Sequence, residues 1–227
     1  HKGLCKIFNY INSKQVSMLE RPLKETGIEI FIRYNEAINI LHKVKYFNEQ
    51  TYGGIVSSRK PFGIESNFSK FVLSESKTHN IKLYKVGGVG FIEEKDVVSK
   101  KELIDKIKVI VSKASPGDDT YPHKIISEPI IALPKSVCTE TYLVIDILEN
   151  ENQAKNLIKY MKTNFFRFMM SLVKNTQNIT KGVFVFVPKL NMDEEWTDEK
   201  LYKKYKLKQD EIDFIATIVK KMDSSDE

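Results

Sequence analysis

Two polar loops hold the side chains best suited to chemistry. Residues 57–68, SSRKPFGIESNF, set the hydroxyls of Ser57 and Ser58, the cations Arg59 and Lys60, the ring of Phe62 and the amide of Asn67 close together. Residues 112–124, SKASPGDDTYPHK, add Lys113, Ser115, Tyr121, His123 and Lys124. Arg and Lys donate to phosphate oxygens or to the O6/N7 edge of guanine, and Asn pairs with adenine through two hydrogen bonds. These eleven residues are the candidate contacts to a nucleic acid. Pro61 fixes its own φ at about −65° and biases Lys60 toward extended backbone, which would present the Arg59-Lys60 pair with less entropy to lose on binding. Gly63 then lets the chain turn away.

Acid/base or metal chemistry has one candidate home, the loop in which Asp118 and Asp119 lie near His123. The other histidines, His1, His42 and His79, are far apart in sequence. Cys5 and Cys138 have no zinc-ligand or CxxC spacing, and two thiols make no disulfide framework. Gly87-Gly88-Val89-Gly90 is followed by FIEEKDVV rather than a helix start, so it reads as a tight turn between strands and not as a phosphate loop. Nucleophile-elbow, Walker and Asn-Pro-Pro-aromatic motifs are absent.

The elements that must hold these loops follow from periodicity. Alternation over Leu4–Met18 about Asn12-Ser13-Lys14 predicts a hairpin, and Ala37, Ile38, Leu41 and Val44 share one face of a helix capped by Asn35. Residues 81–92 read as two strands about the glycine turn, 106–114 and 139–147 as further strands, and 98–107 as holding one helical turn capped by Ser99. Residues 150–174 form one long helix or two broken near Thr163-Asn164, buried from Phe165 to Val173; Arg167 there reaches a buried acceptor or snorkels to solvent. VFVFVP at 183–188 reads as a buried strand ended by Pro188, and two short helices follow, opened by Thr197 and by Gln209 or Asp210, with Trp196 packing back on the core. The expected fold is α+β, with a mixed or largely antiparallel central sheet and a mainly helical C-terminal third. A strand-rich part would occupy 1–148 and a helical part 149–227.

The charge balance leans the same way as the loops. Lys and Arg number 36 against 30 Asp and Glu, a net charge of +6, with an isoelectric point near 9.0, which favours an anionic partner. No stretch reaches the ~20 apolar residues of a membrane helix, and the expected location is cytoplasmic. Because His1 leads almost at once into an alternating run, the chain is expected to be a fragment or processed product with any catalytic machinery upstream.

Residues 159–215, KYMKTNFFRFMMSLVKNTQNITKGVFVFVPKLNMDEEWTDEKLYKKYKLKQDEIDFI, resemble the C-terminal end of bacterial restriction-modification methylases that modify adenine at N6. FIRYNEAINIL (31–41), SSRKPFG (57–63), KVIVSKA (108–114) and CTETYLVI (138–145) fall in the same order as in that family, so the likeness covers nearly the whole chain. In such enzymes an upstream domain binds S-adenosylmethionine and carries an Asn-Pro-Pro-Tyr motif, and the downstream region recognises the target. The resemblance implies that residues 1–227 are a DNA target-recognition domain. Its partners would be double-stranded DNA and the upstream methyltransferase domain of the same polypeptide. It would hold no cofactor itself, S-adenosylmethionine belonging to the parent enzyme. Two other readings stay open: a metal-dependent nucleic-acid-cleaving or -modifying fragment using Asp118, Asp119 and His123, and an assembly module docking through the helices between Trp196 and Met222.

Overall fold

The computed structural model describes residues 3–114 and 121–222. Strands β1 (Leu4–Ile11) and β2 (Lys14–Pro22) form an antiparallel hairpin. It turns through Asn12 and Ser13, both at positive φ, the geometry whose twist suits a two-residue hairpin. Alternation leaves Leu4, Phe8, Tyr10 and Met18 exposed, while Asn35 latches the other face to the body. Its side chain accepts from Arg21 Nε at 2.9 Å and donates to the Ile7 carbonyl at 3.0 Å. The expected cap is thereby corrected: Asn35 is committed to the hairpin, and Glu36 takes the N-cap position of α1 (Ala37–Tyr46) without a side-chain cap bond.

Instead of forming one central sheet, the remaining strands divide between two small ones. Strands β3 (Ile81–Lys85), β4 (Gly88–Ile92) and β7 (Ser136–Cys138) are ordered β4-β3-β7, with β3 parallel to β7. Strands β5 (Ile107–Ser112), β6 (Ile130–Ala132) and β8 (Tyr142–Leu148) are ordered β6-β5-β8 and antiparallel. The fold is α+β with mostly antiparallel pairing, and helices fill the C-terminal third: α2 (Glu151–Lys162), α3 (Asn164–Ser171), α4 (Asp198–Lys204) and α5 (Gln209–Ile218).

The β6-β5-β8 sheet is a wall between two cores. Val109, Val111, Leu143 and Ile145 face the larger one, which takes in α1 and the C-terminal helices. Ile110, Ala132 and Val144 face the smaller one, with Phe62, Ile64, Leu83 and Ile92. This is what a period of two does when both faces of a sheet are covered. Lys108 also turns inward and is fully buried. Its ammonium donates to the carbonyls of Leu103, Ile104 and Lys106 at 2.9, 3.2 and 2.6 Å, and burial pushes it down to about 8.

The C-terminal helices break where the sequence allowed it. Thr163 ends α2 and caps α3, its hydroxyl accepting from the Phe166 N–H at 3.1 Å. Phe165, Phe168, Met169, Leu172, Leu201 and Ile215 are buried, and Ile212 is half-buried. Arg167 is fully buried against acceptors, with Thr163 O at 3.2 Å, Lys162 O at 3.0 Å and Asn164 Oδ1 at 2.8 Å, besides Lys220 O. Trp196 packs partly against the larger core, and its indole donates to Asn191 O at 2.9 Å.

Three further expectations are corrected. The 183–188 run is no strand: Lys181–Phe184 is a 3-10 turn, and Val187 and Lys189 bond across to Tyr52 and Gln50. A short apolar run reports burial, and here burial comes from docking on Gly53, where an added Cβ would meet Val185 Cα at 2.7 Å. The 3-10 turn Lys101–Leu103 has Lys100 at its cap, since the Ser99 hydroxyl donates to Pro61 O. At α5 the cap is Lys208, whose N–H donates to Glu211 at 2.7 Å. No helix among the described residues is long and apolar enough to cross a membrane.

Candidate nucleic-acid interface

Strand direction decides which loops meet. The C-terminal ends of β3, β5 and β7 and the N-terminal ends of β4 and β8 lie at one end of the two sheets, as their registers require. The turn from β7 to β8, Thr139-Glu140-Thr141, sits at the centre of that end. Thr139 N–H donates to Tyr84 O at 3.0 Å, Glu140 N–H to Ile64 O at 2.9 Å, and Lys113 N–H to Thr141 O at 2.8 Å. One short turn thus ties the 57–68 loop, the ends of β3 and β5, and the start of the 112–124 loop into one rim.

The rim is cationic and internally braced. The Glu140 side chain, 10% exposed, accepts from Arg59 Nε at 2.8 Å and Arg59 Nη2 at 2.7 Å, while its other oxygen accepts from the Ser66 N–H and hydroxyl. The Ser66 backbone N–H, followed by Arg59, holds this carboxyl below the ordinary carboxylate range. The Arg59 side chain remains 67% exposed, so one edge of the guanidinium is fixed and the rest faces outward. Lys60 pairs with Glu65.

Several predicted contacts lie elsewhere. Phe62 is fully buried in the smaller core and its carbonyl accepts from Val98 and Ser99, so it anchors the loop and meets no ligand. Ser57 is buried too; its N–H donates to Val144 O and its hydroxyl accepts from Val144 N–H, which closes the edge of β8. Lys60 is at φ 57, not extended, because the chain turns tightly enough for Gly63 N–H to reach Lys60 O at 3.1 Å. Gly63, at φ 74, is required there, since a Cβ would meet Val98 Cβ at 2.6 Å. Ser58 and Asn67 are exposed.

In the second loop, Lys113 is half-buried, its N–H and C=O spent on Thr141 and Ile179. The Tyr121 and His123 rings touch at a tilt of 51°, 4.2 Å between centroids, and the Tyr121 and Tyr34 hydroxyls lie 3.0 Å apart. His123 bonds the end of α5 through Ile218 O and Lys220 N, with Lys124 half-buried beside it. Ser115, Asp118 and Asp119 lie outside the described residues, among which no group of three or more His, Cys, Asp and Glu could hold a metal ion.

Three contributors to the rim were missed. Arg33 donates to Lys174 O at 3.1 Å and to Asn175 Oδ1, and Asn178 bridges Ala114 beside Lys113. Partial burial, then the nearby Arg33 charge, pulls the Lys174 ammonium below its ordinary range. Two like charges held together relax when an anion arrives. The polar run KNTQN at 174–178, breaking off abruptly after an apolar helix, was the available signal. The third contributor, Lys85, ends β3 next to Thr139. Hydroxyls, amides and cations on one rim can donate to phosphate oxygens and base edges.

Compared with known families and with curated proteins, the chain matches no family model and no curated sequence.

Proposed function

We propose that this chain is the sequence-specific DNA target-recognition module of an adenine-N6 methyltransferase or of a combined restriction-modification enzyme. The observation that carries the reading is the rim: Arg59, Lys85 and Lys113 come from three separate stretches of chain to one end of the sheets, and the Ala114–Asn178 bridge brings alongside Lys113 the segment that carries Lys174 and is held by Arg33. The net charge of +6 and the ordered resemblance of the sequence support it. S-adenosylmethionine and the transfer step belong, in this proposal, to an upstream domain of the same polypeptide. That domain would cover the exposed Leu4, Phe8, Tyr10 and Met18 on the outer face of the β1–β2 hairpin.

The test is a salt series of binding isotherms with a labelled random-sequence duplex. Affinity is expected to fall log-linearly with salt, and Lys113→Ala and Lys174→Ala are each expected to lower the magnitude of the slope by about one. Lys95, paired with Glu93 at 2.9 Å beyond the opposite end of β4, serves as the control cation. Absence of binding, or a Lys95→Ala effect equal to that of Lys113→Ala, would overturn the proposal.

A further inference from the structure

The β3–β4 ribbon is braced at its base and bare at its tip. Val72 pairs with Phe91 on the outer edge of β4, through hydrogen bonds of 3.0 and 2.9 Å. Phe71 fills the room under Gly90, where a Cβ would meet its ring at 2.7 Å. Beyond that support the ribbon turns through Val86 and Gly87, with Lys85 opposite Gly88. Gly87 and Gly88 have φ of 80 and 131, conformations that call for glycine, yet a Cβ on either would meet nothing within 4 Å. No part of the described molecule covers this turn.

The side chains at the tip suit a groove. Val86 is 67% exposed and Val89 42% exposed, so both apolar side chains are open to a ligand. Lys85, half-buried, pairs with no carboxylate among the described residues: its ammonium sits 4.5 Å over the Phe71 ring and donates to Val86 O at 3.1 Å, neutral partners that a guanine edge can replace. The glycines keep the tip slim, one strand carrying only Val89 between positions 87 and 90. Two paired strands with such side chains match the major groove, roughly 12 Å wide, which admits a two-stranded ribbon, whereas the minor groove at roughly 6 Å does not. Tyr84 O, bonded to Thr139 N–H, makes the tip continuous with the cationic rim.

We infer that the β3–β4 tip is a base-reading probe that enters the major groove of duplex DNA, Val86 against thymine methyl groups and Lys85 donating to a guanine edge. This rests on the DNA-binding reading above. The experiment is selection from a random-sequence duplex pool by the wild-type chain and by Lys85→Ala and Val86→Ser. Thermal melting checks that both substitutions, one at half-buried Lys85 and one at exposed Val86, leave the fold intact.

The wild type is expected to enrich a motif, and the variants to lose information at one contiguous block of it. Affinity for the wild-type motif is expected to fall about ten- to hundredfold, and for the unselected pool by less than about threefold. Methyl green, a major-groove ligand, is expected to compete, and the minor-groove ligand netropsin is not. Variants that enrich the same motif with the same affinity, a wild type that enriches none, or competition by netropsin alone would each overturn the inference. If Lys113→Ala still flattens the salt slope in that case, the ribbon reading fails and DNA binding stands. If the wild type binds no duplex, both fail.

Discussion

Glu140 shows how one side chain can position a rim of opposite charge. Its two oxygens take separate partners, Arg59 on one and Ser66 on the other, so the carboxylate fixes both a cation and the loop that carries it. Because these partners favour the ionised form, the folded-state pKa lies below the ordinary 4.5. The associated stability is present above the unfolded value and is lost as pH falls through the lower folded value. Glu140→Gln is therefore expected to lower the melting midpoint near neutrality, and the gap from wild type to narrow as pH falls below the ordinary 4.5. A gap that stays constant down to acid denaturation would mean that the carboxylate charge contributes nothing. The same residue explains a limit of reading the sequence. Ser57, Arg59 and Phe62 are neighbours in a polar loop, and only tertiary partners decide that the first closes a strand edge, the second faces outward and the third is buried.

Among the elements, the α2–α3 junction is the place where local chemistry decides most. Thr163 donates to Tyr160 O at 2.7 Å as α2 ends and accepts from Phe166 N–H as α3 begins. The carboxylate of Asp198 takes the N–H groups of Asn164 and Phe165, both at 2.9 Å. With that support left in place, Thr163→Ala is expected to cost about 1–2 kcal/mol by chemical denaturation, the range for a lost helix cap. Thr163→Ser, which keeps the oxygen, is expected to recover most of it. An alanine variant as stable as wild type would show that Asp198 alone holds the helix start. This break was legible because a cap is local, and so were the hairpin turns at Asn12-Ser13 and at the glycines, where polar residues or glycines interrupt alternating runs. The caps assigned to Asn35 and Ser99 were not legible, since each hydrogen-bonding group had a better partner far away in sequence: Arg21 and Ile7 for one, Pro61 for the other. The 183–188 run failed for a different reason, because an apolar stretch shorter than two helical turns carries no period to tell a strand from a tight turn.

At the scale of the whole molecule, the decisive feature is that the β6-β5-β8 sheet belongs to both cores. Ile145 faces the larger core and Ile110 the smaller, both fully buried. If the wall is shared, neither core can lose its face of the sheet while the other keeps its own, and unfolding is one transition. Ile145→Ala and Ile110→Ala are each expected to cost about 2–5 kcal/mol. Each should shift by the same amount the midpoint seen by Trp196 fluorescence, which reports on the larger core, and the midpoint seen by amide exchange at Leu83 and Ile92 in the smaller one. An Ile110→Ala chain that opens the Leu83 and Ile92 amides while leaving the Trp196 midpoint in place would separate the cores and overturn the shared wall. The consequence reaches the rim, because Lys85 ends a strand of the smaller core, Lys113 follows a strand of the shared sheet, and Arg33 bonds the chain leaving α3 in the larger core. Only a single cooperative unit holds those cations in one register, so a substitution such as Ile110→Ala, far from any cation, is expected to weaken duplex binding only at temperatures where the common transition has begun.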